Sequence, residues 1–222
     1  MNIEDKRMGV IFDMNGTIID DMAYHASAWH ELLVSDLGCD IDINRVWNEM
    51  YGKNRDMFIR VLGEGALSEE EMESWSLEKE RRYQKIYGPH AEPISGFIEF
   101  LNCLKSKGLP IALGTAAIPF NVNFILERLQ IKDCFDAVVS ADDVEFSKPH
   151  PETFIKCAEL LAIPENACVV FEDSPKGVEA AQRAGMKAIV LTTMHPKEDF
   201  SGFTNILGII ENYQDPFLFS AF

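Results

Sequence analysis

The chain has little basic charge, few cysteines and no long apolar run. Its 222 residues carry 20 Lys+Arg against 36 Asp+Glu, a formal net charge of −16. This acidic excess argues against binding nucleic acid through a basic surface and against docking on an anionic membrane. It also disfavours an anionic small substrate, unless positive charge at the binding site reverses the field locally.

Cysteine usage and hydropathy narrow the class of protein further. The five cysteines are odd in number, and no two form a CxxC pair. We therefore expect neither a disulfide framework nor a zinc site. We expect inert thiols in a reducing compartment. The first ten residues hold no signal-peptide-like apolar stretch, and the longest apolar runs, such as CVVF and AIVL, are only strand-sized. We expect a cytoplasmic protein, monomeric or weakly dimeric, that binds neither membranes nor nucleic acid.

Apolar strand-like segments alternate with helix-like ones along most of the chain. The predicted strands are residues 8–13, 109–115, 136–143, 168–173 and 186–191. Helical patterns fill the interval between the first two, and one of them opens with the capping-box pair Ser68 and Glu71. The order predicts an α/β fold with a doubly wound parallel-sheet (Rossmann-like) core at 1–18 and 91–222. Residues 19–90 would form an inserted α-helical cap. The apolar tail DPFLFSAF is expected to dock on the core, with a dimer contact as the alternative.

Chemically useful side chains follow successive predicted strands. They are Asp13, Thr115, Lys148, Glu172 and Asp173. Ligands bind at the carboxyl ends of strands in such sheets, so these groups should converge. Converging carboxylates need a cation, and Mg²⁺ prefers oxygen ligands. An aspartate can attack phosphorus to form an aspartyl phosphate, with lysine, metal and turn amides stabilising the charge. Taken singly, each group has a structural alternative, such as a helix cap or a surface lysine.

Four segments together resemble a known family. FDMNGT, LGTA, SKPHP and FEDSPKGVEAA are similar, in order and spacing, to the four motifs of the haloacid dehalogenase superfamily of phosphotransferases. The helical insertion resembles the cap of its β-phosphoglucomutase-like branch. Within it, DDMAYHASAWHELL and YGKNRDMF are similar to a substrate-binding helix and loop of that branch. Simple phosphatases of the branch share these cap motifs, so they are less specific.

The resemblance implies roles for individual residues. Asp13 would be the nucleophile and a metal ligand, and Thr115 and Lys148 would bind the transferring phosphoryl group. Asp173, together with Glu172, would hold Mg²⁺. The remaining expected contacts to substrate are Gly16, Thr17, His25, Arg55 and Ala116. In the cap, Arg55 would meet the non-reacting end of the substrate, although it could equally be a solvated helix-start arginine. His25 would lie where cap and core meet, with a packing histidine beside Trp29 as the alternative.

One position departs from the family pattern. The motif Asp-x-Asp-Gly-Thr has Asn15 at its third residue. The aspartate there is the family's general acid and base, and asparagine can be neither. The metal site should survive, since in this family the position contributes its backbone carbonyl. Three explanations stay open: another group such as His25 or a substrate hydroxyl handles the proton, the change is engineered, or the protein only binds phosphates.

A second departure follows Thr115. The run Ala116-Ala117-Ile118-Pro119 lacks the polar groups that contact substrate in the mutase. We therefore expect a Mg²⁺-dependent phosphatase of a small, sugar-phosphate-like metabolite. The alternatives are a β-phosphoglucomutase-type isomerase and a catalytically impaired phosphate-binding homologue.

Overall fold

A single six-stranded parallel sheet organises the chain. The computed structural model describes residues 8–222, with strands β1 (Gly9–Phe12), β2 (Ile111–Gly114), β3 (Ala137–Val139), β4 (Cys168–Glu172), β5 (Lys187–Leu191) and β6 (Ile206–Ile210). Their spatial order is β3-β2-β1-β4-β5-β6, and every neighbouring pair is parallel. Strands β2 and β3 follow β1 on one side of the sheet, and β5 and β6 follow β4 on the other side. The crevice between the ends of β1 and β4 is therefore the topological switch point.

Helices cover both faces of this sheet. Those within residues 8–222 are α1 (Met22–Glu31), α2 (Ile43–Glu49), α3 (Asn54–Leu62), α4 (Glu69–Tyr87), α5 (Phe97–Ser106), α6 (Pro119–Arg128), α7 (Glu152–Leu161), α8 (Pro175–Arg183) and α9 (Pro216–Ala221). Side chains alternate along β1, so Val10 and Phe12 join the core under α5, α6 and α9. Ile11 faces α7 and α8 instead. The predicted doubly wound fold is confirmed.

Helices α1 to α4 lie between β1 and α5 and have a small core of their own. Trp29, Leu33 and Phe58 are buried in it. The Ser68 hydroxyl accepts from the Glu71 N–H, and the Glu71 carboxylate accepts from the Ser68 N–H, so the predicted capping box begins α4. No helix of residues 8–222 combines the length and the apolar character needed to cross a membrane.

The two connections to this helical block run side by side. Ile19 forms an antiparallel bridge with Pro93, and the Ile94 N–H donates to the Ile18 carbonyl at 2.8 Å. Ile19 also bridges to Asn15, so the entry strand of the block is tied to the turn after β1. The entering and leaving segments therefore form one paired connection beside the sheet.

Two strand predictions were incomplete. The segment expected at 136–143 keeps strand geometry only to Val139, because Ser140 and Asp143 form a capping box that begins a 3₁₀ turn. Strand β6 was not predicted, because Gly208 interrupts its short apolar run and it lies at the sheet edge. A Cβ added to Gly208 would come within 2.6 Å of the Phe217 ring, so a larger residue there would have to displace that ring.

The carboxyl-terminal tail docks on the core as expected. Leu218 is fully buried, and the rings of Phe219 and Phe222 lie 6.0 and 5.5 Å from the Phe100 ring, each edge-on. The Tyr213 hydroxyl, on the segment before α9, donates to the carbonyl of Thr17 at 3.0 Å. The tail thus supports the turn that follows β1.

Tyr213→Phe tests this support. The substitution keeps the buried ring but leaves the Thr17 carbonyl without its donor, so we expect a loss of about 1–3 kcal/mol in the free energy of unfolding. Urea denaturation measures it, with Tyr51→Phe at a half-exposed site as the matched control, expected to change stability by less than ~0.5 kcal/mol. Equal stabilities of the two variants would contradict the assignment.

Candidate active site

Asp13 extends β1 into the switch-point crevice. Its N–H donates to the Phe171 carbonyl of β4 at 3.0 Å, which continues the pairing of the two strands. The turn that follows closes with a 2.7 Å bond from the Gly16 N–H to the Ile19 carbonyl. Gly16 has a φ of +76°, and a Cβ on it would overlap the carboxylate of Asp173. The backbone therefore passes directly against that acid, which only glycine permits.

Lys148 is the cation of the crevice. Its Nζ donates to Asp13 Oδ1 at 2.6 Å and to Glu172 Oε1 at 2.8 Å, and it lies 4.5 Å from the centre of the Phe154 ring. The loop that carries it is anchored by Glu152 at the start of α7, whose carboxylate accepts the N–H groups of Glu145 and Phe146. Two strands and one loop thus meet at a single ammonium group.

Burial and charge shift the pKa values of these groups. Burial, reinforced by the charge of Glu172, raises the pKa of Asp13 to about 7 against the pull of Lys148. Burial and the charges of Glu172 and Asp13 raise the pKa of Asp173 well above its usual range. For Lys148, burial opposes the charged form, but the two neighbouring carboxylates outweigh it and raise the pKa. One lysine therefore does not fully neutralise three acids.

The acids fit a hard divalent cation. Asp13, Glu172 and Asp173 are buried and offer oxygen atoms that all lie within 4.8 Å of one another. Glu172 Oε2 already accepts from the N–H groups of Asp173 and Ser174 and from the Ser174 hydroxyl. Mg²⁺ prefers oxygen ligands, and these closely spaced carboxylates supply both the oxygens and the negative charge.

The other predicted core residues surround this cluster. Thr115 directly follows β2 and is buried, and its Oγ1 accepts from the Ala117 N–H at 3.1 Å. Thr115 and Ala116 line the cavity above Asp13. Thr17 is buried behind the cluster, and its hydroxyl lies 3.4 Å from Asp173 Oδ1. Thr17 therefore supports an acid rather than facing the cavity.

The cavity has a volume of about 410 Å³, and core and helical block both line it. Large apolar side chains of the helical block in its wall include Trp29, Trp47, Met50 and Tyr51. Its acidic and basic side chains are four lysines, four acids and two histidines: Lys53, Lys79, Lys148, Lys176, Asp13, Glu80, Glu172, Asp173, His25 and His195. The lining is therefore far less acidic than the whole chain, and the volume suits a small metabolite.

Asn15 turns its amide nitrogen towards the helical block. Its Nδ2 donates to Asp21 Oδ2 at 2.6 Å and lies 3.2 Å from His25 Nε2. Asp21 is fully buried and also accepts from the Tyr83 hydroxyl at 2.5 Å. The His25 ring stacks on the Tyr83 ring, with centroids 3.7 Å apart. His25 is thus packed against an aromatic ring while still lining the cavity.

A second polar cluster joins the helical block to the core. Lys79 Nζ lies 2.8 Å from His25 Nδ1 and donates to Glu80 at 2.8 Å. Glu80 also accepts from Asn54 at 2.7 Å and from Asn121 on α6 at 2.6 Å. Burial opposes the charged form of Glu80, but the charges of Lys79 and His25 outweigh it and lower its pKa. Burial lowers the pKa of Lys79.

Arg55 does not reach the cavity. Its guanidinium forms a two-bond ion pair with Glu69, at 2.9 and 2.6 Å, on the outer surface of the helical block. Its neighbours Lys53 and Asn54 line the cavity instead. The structure therefore brings together the expected site residues except Arg55, with Gly16 and Thr17 behind the carboxylates.

Comparisons with known proteins agree with this geometry. A family model described as haloacid dehalogenase-like hydrolase matches residues 8–185. The chain belongs to this family. It is 31% identical to the Escherichia coli fructose-1-phosphate phosphatase YqaB over 83% of this chain and 96% of that protein. It is 29% identical to the Escherichia coli hexitol phosphatase B, over 86% of each. The crystal structure of a Clostridium difficile β-phosphoglucomutase superposes with a TM-score of 0.83 at 26% identity, covering 96% of this chain and 95% of that one.

Several site residues of this haloacid dehalogenase-like hydrolase were not predicted. Asp21, Lys79, Glu80 and Asn121 are buried polar residues of the cavity region. The sequence did contain a hint, because Asp21 and Lys79 lie on the inner, apolar sides of helical patterns. Their partners lie on other elements, so the pattern alone could not pair them.

Removing the Asp13 charge tests the electrostatics of the metal-free protein. Because the pKa of Asp13 is raised from 3.8 to about 7, its ionisation destabilises the fold as pH rises through that interval. Asp13→Asn should be more stable than wild type at pH ~8, by on the order of a few kcal/mol. The difference should nearly vanish near pH ~3, where the carboxyl is protonated in the folded state and largely so in the unfolded state.

Urea unfolding in EDTA at both pH values provides the measurement, with Asp36→Asn, which removes a surface carboxylate, as the control. A stability difference that is independent of pH would contradict the assignment.

Proposed function

We propose that the protein is a Mg²⁺-dependent phosphatase of a small, sugar-phosphate-like metabolite, acting through an aspartyl phosphate on Asp13. The observation that carries the proposal is the Asp13 carboxylate beside Lys148 and Asp173, at the switch point and under a cavity of metabolite size. The phosphatase names among the relatives support the substrate class.

The first step transfers the phosphoryl group to the protein. A carboxylate oxygen of Asp13 attacks phosphorus, and the bond from phosphorus to the leaving oxygen breaks. Lys148 neutralises charge on the transferring group, and Thr115 can donate to one of its oxygens. Asp13 and Asp173, with Glu172 and the backbone carbonyl of Asn15, would hold Mg²⁺. When bound, the ion would further offset the charge of the acids and of the phosphate.

Residue 15 decides which leaving groups depart easily. The Asn15 amide supplies no acidic proton, so an alkoxide leaving group lacks the general acid that typically contributes about 10²–10⁴-fold. A phenolate needs no such help. Relative to a protein with a carboxylic acid at position 15, we therefore expect a much smaller loss of rate on aryl phosphates than on sugar phosphates.

Labelling with an aryl or acyl phosphate tests the proposal. We expect Mg²⁺-dependent phosphorylation of Asp13, seen as one added phosphoryl group by intact mass, and slow loss of the label. EDTA and Asp13→Asn should abolish labelling, and Asp36→Asn should not. Peptide mass spectrometry across Asn15-Gly16 checks that the amide has not hydrolysed to a carboxylate.

An unlabelled wild type would contradict the mechanism. A label with no turnover of any phosphorylated metabolite in a screen would favour the second candidate, an impaired phosphate-binding homologue, which the amide at residue 15 supports. Interconversion of sugar phosphates without release of inorganic phosphate would identify a mutase.

A further inference from the structure

The orientation of the Asn15 amide is determined by its neighbour. The side-chain NH₂ of Asn15 faces Asp21, because its Nδ2 donates to Asp21 Oδ2 at 2.6 Å and a carboxylate oxygen is an acceptor. Asp21 is itself held in place, because it is fully buried and accepts from the Tyr83 hydroxyl at 2.5 Å. Within residues 8–222, no hydrogen-bond donor lies against Asn15 Oδ1, although Asn15 lines the cavity. The amide therefore presents its oxygen, a pure acceptor, to the side where phosphoryl transfer would occur.

We propose that Asn15 orients the attacking water through Oδ1 in the second step and that Asp21 is the positioning residue that keeps this oxygen turned towards the cavity. This inference rests on the proposed function. The water oxygen bonds to phosphorus as the bond from phosphorus to Asp13 breaks. The electron pair of the broken bond returns to the Asp13 carboxylate, and both water protons end on the released dihydrogen phosphate.

The chemistry tolerates an acceptor that is not a base. Phosphoryl transfer passes through a loose transition state, in which the nucleophile needs alignment more than deprotonation, and amide side chains orient water in other phosphoryl-transfer enzymes. An amide that could rotate would present its NH₂ to the water half of the time, and that group would repel the water protons. The buried carboxylate of Asp21 prevents this rotation.

Residues 15 and 21 are consequently a matched pair. A carboxylate at position 15 beside Asp21 would place two negative groups at hydrogen-bonding distance, where they repel strongly. Exchanging both residues restores one amide–carboxylate bond, with the acid now on the cavity side. In the exchanged pair, the NH₂ introduced at position 21 would take the place of Asp21 Oδ2 and could donate both to the carboxylate introduced at position 15 and to the hydroxyl oxygen of Tyr83.

A double-mutant cycle over Asn15→Asp and Asp21→Asn tests the pairing. Each protein is labelled with an acyl phosphate and Mg²⁺, and the loss of label is followed after the donor is removed. Asp21→Asn should slow loss of the label by about 10-fold while labelling changes less than about threefold, since only the second step uses the oriented water. The double variant should lose its label at least ~10²-fold faster than wild type, because it regains a base. Asn15→Asp alone should lose its label at least ~10-fold more slowly than the double variant.

Asp36→Asn is the matched control, because it removes a carboxylate that pairs with Arg82 on the surface of the helical block. It should label and lose label at the wild-type rate. A readout that needs no variant is the exchange of the Asn15 side-chain amide protons by NMR, expected to be slow for the proton held by Asp21.

The outcomes separate the two ideas. Loss of label from Asp21→Asn at the wild-type rate, rate effects of the two substitutions that simply multiply, or fast exchange of both Asn15 amide protons would overturn the inference and leave the phosphatase proposal standing. Failure of every protein in the cycle to become labelled would overturn the phosphatase proposal and this inference with it.

Discussion

Three buried carboxylates grouped around one lysine are the feature on which the rest of this structure depends. Asp13 and Glu172 both contact Lys148, and Asp173 lies beside them, where the Thr17 hydroxyl is 3.4 Å from its Oδ1. Such a cluster destabilises the fold unless positive charge approaches it, because burial penalises each ionised group. The parallel sheet holds the acids in place nonetheless, since β1 and β4 are paired up to the residues that carry them. A cluster that strains stability in this way is the arrangement expected where a cation and a phosphoryl group bind.

The acidity of the chain and the charge of its cavity are separate properties. The net charge of −16 belongs to the molecule as a whole. Around the cavity, lysines from the core and from the helical block face inward, among them Lys79, Lys148 and Lys176. Local fields decide binding at short range, because exposed charges farther away than about 8 Å are largely screened at physiological salt. The cavity lining can therefore hold four lysines for its four acids although the chain as a whole is strongly acidic.

The sequence was most informative for site residues whose position depends on a single strand or helix. Asp13, Thr115 and Asp173 each follow a buried strand, and parallel strands bring their carboxyl ends to one edge, so their convergence could be predicted. The bond of Asn15 to Asp21 and that of Glu80 to Asn121 depend on how the helical block sits on the sheet. No periodicity encodes that placement.

Arg55 shows the complementary limit. The motif around it resembles a substrate loop, yet a surface glutamate, Glu69, pairs with its guanidinium outside the cavity. The alternative interpretation of Arg55, a solvated arginine at a helix start, agrees with its position in the first turn of α3. Side-chain direction depends on which neighbour the rest of the fold supplies. Strand β6 was missed for a related reason, because an edge strand interrupted by Gly208 has few of the residues that favour strands.

The paired segments at Ile18–Ile19 and Pro93–Ile94 place the Asn15 side chain at the junction of two parts of the molecule. The entering and leaving segments are bonded to each other, so the helical block joins the core through one short ribbon. Asn15 lies on the sheet side of that ribbon and Asp21 on the side of the helical block, and a 2.6 Å bond joins them. The orientation of the Asn15 amide therefore depends on how the helical block packs against the core.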